Sequence, residues 1–300
     1  MTTASGRENY TDLKRLYYYS FRFGLYHFVS GLEFYRCQEN HWVLSRLLPV
    51  RSGASLRILD IGPWRSLVPV YLASRGHVVE TVDLARGHAL QESYRQRAGL
   101  STEQMTNHVV ELQPPEDISY ALPDARFDAV ISISTIEHFP AGGDSRVISE
   151  VARVLKPGGY AILTVPYGPS YDEHRHGRWF ERTYDHGALR TRLVEPSGLD
   201  WTEELYFKDF QTLRFTRLYW KIPKRLRQLL GRLWFFVFLR LARRDAATLD
   251  DASLTGLVLT KTPITRGGVG AWADPGVTYH SPRHRIKIRA APRPKRLSLG

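Results

Sequence analysis

Acidic residues and a glycine follow successive predicted strands in the first half of the chain. Asp60 and Gly62 end the apolar run 56–61, and a glycine at the exit of a strand lets a ligand approach the backbone amides and the start of the next helix. Asp83 ends the next run, 77–82, where a carboxylate can accept hydrogen bonds from both hydroxyls of a ribose. This order predicts a site for a nucleotide-like cofactor.

Two later segments carry polar groups that suit such a site. Asp117, followed by Ile118, comes shortly after a third predicted strand at 108–111. The carboxylate of Asp117 could accept a hydrogen bond from an adenine amino group. A solvated acidic loop explains the presence of this residue equally well. His138, next to Glu137, follows the fourth predicted strand. His138 is a candidate general base for a hydroxyl substrate, and the alternative is that the pair only shapes its loop.

A mainly parallel sheet is needed to bring these strand ends together. From residue 56 to 165, apolar β-branched runs alternate with helical patterns, which is the order typical of parallel strands joined by crossover helices. Strands are predicted at 56–61, 77–82, 108–111, 127–134, 160–165, 200–207 and 255–262, and helices at 66–75, 88–98, 144–155 and 185–195.

Composition divides the chain into three parts. Residues 1–50 are rich in Tyr, Phe and Leu at helical spacing, which predicts an N-terminal helical cap. Residues 51–262 form the sheet domain, with a basic amphipathic insertion at about 208–252. Residues 263–300 contain Gly, Pro and Arg without periodicity, which predicts a basic disordered tail.

Charge and cysteine content exclude several classes of protein. Residues 1–205 hold 22 Lys and Arg against 25 Asp and Glu, whereas residues 206–300 hold 20 against 5, a net charge of +15. A polyanionic surface is therefore the expected partner of the last third. The single cysteine, Cys37, excludes an intramolecular disulfide framework and a cysteine-rich zinc site. No metal site is predicted, and the expected location is cytoplasmic.

The segment Lys221 to Arg244 has eight basic and no acidic residues. Its apolar run, 233–239, is far shorter than the roughly 20 residues that cross a bilayer. A basic helix with a Trp, Phe and Leu face is typical of peripheral contact with an anionic membrane, here the inner membrane surface. Packing of the same face on the protein itself is the alternative. Nucleic acid is not expected, because the aromatic residues form one block and do not alternate with the arginines.

Four segments together resemble a known family: LRILDIGPWRS, VETVDLA, EDISYALPDARFDAVISISTIEHF and EVARVLKPGGYAILTVPYG. In order and spacing they are similar to class I S-adenosylmethionine-dependent methyltransferases of the small-molecule type. The resemblance implies an α/β, Rossmann-like, seven-stranded mainly parallel sheet with its last strand antiparallel. We expect N-terminal helices and a helical insertion before the last strand in addition. The resemblance also implies S-adenosylmethionine as methyl donor.

The resemblance assigns residues to parts of the cofactor: Asp60 and Gly62 to the methionine moiety, Asp83 with Leu84 to the ribose, Asp117 with Ile118 to the adenine, and Ser132 and Ser134 to the transferred methyl group. Trp64 and Ser66 stand where the family keeps further glycines. A degenerate methyltransferase fold that serves as a membrane- or nucleic-acid-binding module is therefore an alternative. A nicotinamide-dependent oxidoreductase would explain Asp83 but neither the LKPGG segment nor a late antiparallel strand.

The acceptor is expected to be a small polar or lipid-linked molecule, with sugars among the candidates. Residues 171–177 (YDEHRHG) are predicted to form a loop after the fifth strand, where the family binds acceptors. A polar surface loop is the favoured interpretation, and a site for a phosphate, a sugar or a metal is the alternative. Residues 178–184 add aromatic and Arg side chains suited to a planar or anionic acceptor. The Asn/Asp-Pro-Pro-Tyr element of amino-directed nucleic-acid methyltransferases is absent after the fourth strand.

Overall fold

A seven-stranded sheet forms the centre of the structure, which is a computed structural model. The structure describes residues 11–24, 34–47, 54–110, 122–139, 142–176, 179–208, 221–223, 226 and 252–263. The strands of the main sheet are β1 (Arg57–Ile61), β2 (Val78–Asp83), β3 (Met105–Val109), β4 (Phe127–Ile133), β5 (Leu155–Pro166), β8 (Asp200–Lys208) and β9 (Ala252–Thr260). A separate hairpin consists of β6 (Asp172–His176) and β7 (Trp179–Thr183).

The strand order is β3-β2-β1-β4-β5-β9-β8. Strands β1 to β5 pair in parallel, and β9 runs antiparallel to both β5 and β8. The predicted Rossmann-like fold with its last strand antiparallel is thus confirmed. From β1 the chain continues to β2 and β3 on one side of the sheet, whereas β4 is followed by β5 on the other side. The loops that leave the neighbouring strands β1 and β4 therefore depart on opposite sides, and a crevice opens at the carboxyl ends of these two strands.

Helices cover both faces of the sheet. They are α1 (Thr11–Tyr19), α2 (Phe34–Leu47), α3 (Val68–Ser74), α4 (Ala85–Ala98) and α5 (Gly143–Val154), with 3-10 turns at Ser20–Phe23 and Ile136–His138. A last helical segment joins His186–Ala188, a π-helical turn Leu189–Val194, and Glu195–Ser197. Within the described residues, no helix is both long and apolar enough to cross a bilayer.

Two apolar cores lie on opposite faces because successive residues of a strand point in opposite directions. In β1, Ile58 joins one core and Leu59 the other. Helix α5 packs on the Leu59 face, while α2 and α3 pack on the Ile58 face. Helix α2 also touches β9: a Cβ atom at Gly256 would lie 2.8 Å from the ring of Trp42. The N-terminal helix α2 is therefore part of the sheet domain's packing.

Several element boundaries differ from the sequence prediction; strand β5, for example, begins at Leu155, whereas residue 160 was predicted. Strand β3 spans 105–109, three residues before the predicted 108–111, with Met105 opposite Val79 of β2. It is an edge strand with a single buried residue, so it lacks the continuous apolar run on which the prediction relied. The prediction of a loop at residues 171–177 was wrong, because residues 172–176 pair with residues 179–183 as a β-hairpin.

Glu80 in β2 binds three basic side chains across the sheet. Its carboxylate lies 2.9 Å from Arg57, 2.7 Å from Arg126 and 2.9 Å from His108. Burial alone would raise the pKa of Glu80, but the hydrogen bonds and charges of His108 and Arg126 outweigh it and lower this pKa from 4.5 to about 2. The carboxylate therefore stabilises the fold wherever it is ionised.

We expect Glu80→Gln to lower the free energy of unfolding by up to about 3 kcal/mol at neutral pH. Because the folded pKa is depressed, this contribution is complete above the unfolded value near 4.5 and is lost as the pH falls towards 2. Urea titrations at pH 7 and pH 3 measure it. Glu195→Gln, which breaks the exposed Arg190–Glu195 pair, is the control and should cost under about 1 kcal/mol. Equal losses at both pH values would contradict the ionic explanation.

Candidate active site

The carboxyl ends of β1, β2 and β4 bring together most of the predicted site residues. Asp60 and Gly62 lie at the end of β1 and Asp83 at the end of β2. Ser134 directly follows β4, and Glu137 with His138 forms the next turn. Asp117 and Ile118 lie outside the described residues, so their predicted adenine contact stays a prediction.

Gly62 is required by the packing of the protein itself. Its φ is +67°, and a Cβ atom there would lie 2.2 Å from Cγ2 of Thr135, the residue after Ser134. The Thr135 hydroxyl donates to the Gly62 carbonyl at 3.1 Å. The loops leaving β1 and β4 therefore meet too closely for any side chain at Gly62, a reason that adds to the ligand access expected from the sequence.

Asp83 is held between the loop after β1 and helix α4. Its carboxylate accepts the backbone N–H of Trp64 at 2.6 Å and that of Leu84 at 2.7 Å. Burial raises the pKa of Asp83, and these two hydrogen bonds partly offset the shift. A Cβ atom at Gly87, in the first turn of α4, would lie 2.1 Å from the carboxyl carbon. Two oxygens with about four lone pairs still leave Asp83 acceptor capacity for ribose hydroxyls.

Trp64 occupies the position where the family keeps a glycine, and its φ of +49° is a left-handed conformation. Its ring lies 5.4 Å from the guanidinium carbon of Arg86, and its carbonyl accepts from the Gln91 amide at 3.0 Å. The Gln91 amide also donates to the Ser66 carbonyl at 2.9 Å. Sequence reasoning missed Gln91, because a buried glutamine inside a helix has no motif around it. Gln91 and Asp83 together determine the conformation of this loop.

Asp60 is one of the buried polar groups at this edge that lack a hydrogen-bond partner among the described residues. Its side chain is 1% exposed, and in the part of the chain that the structure describes its Oδ2 has no hydrogen-bond partner. Burial, followed by the charge of Asp83, raises the pKa of Asp60 well above its usual value. Buried polar atoms are normally hydrogen-bonded. An exception at a strand end indicates a position for a polar or cationic ligand group.

His138 has a defined orientation and tautomer. Its Nδ1 lies 2.8 Å from the carbonyl oxygen of Phe180 in β7. Because a carbonyl can only accept, Nδ1 carries the proton, and the neutral ring therefore has its lone pair on Nε2. That nitrogen lies 3.8 Å from Oε1 of Glu137. The side chain of His138 is 38% exposed, so the ring is within reach of a substrate.

Glu137 is a buried carboxyl beside this ring. It is 1% exposed, and its Oε2 contacts no hydrogen-bonding group among the residues that the structure describes. Burial raises the pKa of Glu137 well above its usual value, although its own backbone N–H and the charge of Arg36 act in the opposite direction. The raised pKa favours the protonated form of Glu137, in which the carboxyl adds no negative charge to the turn.

The hairpin β6–β7 is anchored over this turn by buried charges. Arg182, which is fully buried, donates to the Phe139 carbonyl and, at 3.1 Å, to Glu173. Asp144, at the start of α5, binds Arg192 through two hydrogen bonds of 2.8 Å.

Across the described ranges, no group of three or more His, Cys, Asp or Glu side chains is arranged to hold a metal ion.

Comparisons with known proteins agree with this architecture. Residues 59–163 match the family model described as a methyltransferase domain. A Galdieria sulphuraria protein provisionally described as a sarcosine dimethylglycine methyltransferase is 16% identical, with a TM-score of 0.51 over 76% of this chain and 85% of its own. A Burkholderia thailandensis 1,6-didemethyltoxoflavin-N1-methyltransferase, solved with S-adenosylhomocysteine, is 15% identical, with a TM-score of 0.50 over 87% and 92%. At these identities the likeness shows the fold alone. No curated protein matches the sequence.

The family match and the fold indicate the class of protein: residues 59–163 match a methyltransferase domain, and the sheet has the topology of class I methyltransferases. The match supports an enzyme, with S-adenosylmethionine as its expected methyl donor. The strand-end residues fit this cofactor. The unpartnered Oδ2 of Asp60 suits its ammonium group, and the remaining lone pairs of Asp83 suit its ribose hydroxyls.

We expect S-adenosylhomocysteine binding to release a proton from Asp60. An ammonium group beside Asp60 favours the carboxylate, whereas burial favours the protonated form of the ligand-free group, so affinity should rise with pH until the raised pKa of Asp60 is passed. The slope can reach about tenfold per pH unit. Calorimetry in two buffers of different ionisation enthalpy measures the released proton.

The matched variants for this measurement are Asp60→Asn and Asp124→Asn. Asp60→Asn keeps the shape of the side chain but cannot ionise, so the proton release should disappear. Asp124 is exposed and pairs with Arg153, so Asp124→Asn should behave as wild type. Undiminished proton release in Asp60→Asn would show that another group titrates.

Proposed function

We propose that this methyltransferase acts on a hydroxyl of a small polar or lipid-linked acceptor, with His138 as general base. The observation that carries the proposal is the hydrogen bond between Nδ1 of His138 and the Phe180 carbonyl. This bond leaves the lone pair of the neutral ring on Nε2, where it can take a proton. A base is needed for a hydroxyl acceptor, because a neutral alcohol is a weak nucleophile.

When bound, S-adenosylmethionine supplies an activated methyl group that transfers by in-line displacement. His138 accepts the proton of the acceptor hydroxyl at Nε2 and becomes an imidazolium whose Nδ1–H still donates to Phe180. Burial favours the neutral form of Glu137, and this form does not repel an incoming anionic acceptor. The turn Ile136–His138 and the hairpin above it keep this geometry during the reaction.

The hairpin supports the choice of a polar acceptor. Asp172, Glu173, His174 and Arg175 of β6 are exposed, and the guanidinium carbon of Arg175 lies 5.8 Å from the centre of the partly buried Phe180 ring. An Arg and an aromatic ring beside carboxylates and a histidine form a surface on which hydroxyl, carboxylate or phosphate groups can hydrogen-bond and a sugar ring can stack. Such a surface favours a polar acceptor over an apolar one.

We expect His138→Ala to lower kcat by roughly 100-fold or more on a hydroxyl acceptor while leaving S-adenosylhomocysteine affinity within about twofold. Release of S-adenosylhomocysteine in the presence of a panel of sugars and lipid-linked sugars measures turnover, and calorimetry measures affinity. His186→Ala removes an exposed histidine that stacks on Trp201 and is the control. Normal turnover in His138→Ala would leave His138 only its role in the turn.

We propose, on the sequence alone, that Lys221 to Arg244 brings this active site to an anionic membrane. The segment combines eight basic residues and no acidic ones with the apolar run 233–239. A helix of this composition can place its apolar face among acyl chains and its basic face on lipid headgroups. This location would suit a lipid-linked acceptor.

Sedimentation with vesicles tests this contact. We expect binding to phosphatidylglycerol-containing vesicles, little binding to pure phosphatidylcholine, and weaker binding at high salt. Replacing residues 221–244 by a Gly/Ser linker should abolish it. Removing residues 264–300 is a matched control, because they also carry eight basic residues but lack a comparable apolar run. Binding that survives the linker and disappears with the tail would contradict the proposal.

A further inference from the structure

Helix α2 lies outside the segment matched by the methyltransferase family model, yet it places a buried carboxylate at the ends of β4 and β5. Glu39 is fully buried. One of its oxygens accepts the hydroxyls of Ser134 and, at 2.7 Å, of Thr164. The other oxygen lies 3.0 Å from the guanidinium of Arg36. Glu39 thus joins the N-terminal helix to both strands that border the site.

Ser134 has an unusual backbone conformation at this point. Its φ is +45°, a left-handed value that costs free energy for any residue other than glycine. Its N–H donates to the Thr164 carbonyl at 3.0 Å and faces the Thr164 hydroxyl at 3.1 Å. A strained residue keeps such a conformation only where its surroundings hold it. Here the hydroxyl of Ser134 is held by Glu39 and its backbone by Thr164.

The conformation of Ser134 determines where the following residues lie. Thr135 packs against Gly62 at the predicted cofactor position, and the turn Ile136–His138 begins immediately afterwards. Arg36, the partner of Glu39, also donates to the Ile133 carbonyl at 3.4 Å. A change of φ at Ser134 would therefore displace Thr135 from the loop after β1 and rotate the turn that carries His138.

We infer that Glu39 is a positioning residue for methyl transfer, acting through the strained conformation of Ser134. The inference rests on the methyltransferase assignment and deepens the proposed function. Ser134 was predicted to lie under the transferred methyl group. That position stays a prediction; the hydroxyl of Ser134 donates to Glu39, so the contribution that we assign to Ser134 is the path of its backbone.

A double-mutant cycle on S-adenosylhomocysteine affinity tests this inference. Glu39→Ala removes the acceptor of both hydroxyls, lets Ser134 relax, and should raise Kd about tenfold. Glu39→Gln keeps a carbonyl oxygen that can accept both hydroxyls and should recover most of the affinity. In a Ser134→Gly background, where φ of +45° costs little, adding Glu39→Ala should change Kd by less than about twofold.

The control for helix docking is Arg46→Ala, which removes the ion pair of α2 with Glu203 about two helical turns from Glu39. It should change the urea midpoint without changing Kd. If Glu39→Ala does not fold, Glu39→Asp takes its place in the cycle, because the shortened carboxylate keeps the charge but cannot reach both hydroxyls. Wild-type affinity in the folded Glu39 variant, or an equal loss with and without Ser134→Gly, would overturn the inference. Since the readout is cofactor affinity, failure of His138 as a base would leave this cycle unaffected.

Discussion

The loops that leave β1 and β4 approach so closely that no Cβ atom fits at Gly62 beside Thr135. This approach follows from the strand order, because β1 and β4 are neighbours while their chains continue in opposite directions. On the β1 side, Gly62 takes a positive φ that allows this approach, and Trp64, two residues after Gly62, also has a positive φ. On the β4 side, Ser134 has a positive φ as well. Three left-handed residues at one edge of the sheet indicate a site whose backbone is shaped by tertiary contacts and not by local preference.

Four buried carboxyls lie at this edge, and their surroundings separate them into two kinds. Asp83 and Glu39 have both oxygens occupied, the first by backbone N–H groups and the second by hydroxyls and Arg36. These two hold loops and helices in place, although the remaining lone pairs of Asp83 can still accept from a ligand. Asp60 and Glu137 each have an oxygen with no partner among the described residues, and burial raises the pKa of both. The second kind is suited to a ligand or to a role in proton balance.

Charged side chains attach the hairpin β6–β7, which lies on the proposed acceptor side, to the rest of the fold. Arg182 lies inside the protein, 4.4 Å from the centre of the Phe180 ring, and the carbonyl of Phe180 orients His138. Removing Arg182 would take one partner from Glu173 and, among the described residues, leave Asp144 with Arg192 and Tyr184. The orientation of the candidate base therefore depends on a buried ion network several residues away from it.

The sequence by itself was sufficient for the order of the strands in the main sheet, because apolar β-branched runs and helical periodicity are local patterns. It also indicated Asp60, Gly62 and Asp83, since these residues follow strands directly along the chain. It misplaced β3, whose edge position allows polar residues, and it missed the hairpin, whose polar strands show no apolar alternation. Glu39 and Gln91 act on residues 95 and 27 positions away, and only the folded chain brings them there. Such contacts depend on how helices dock on the sheet, which is a long-range property that no local pattern encodes.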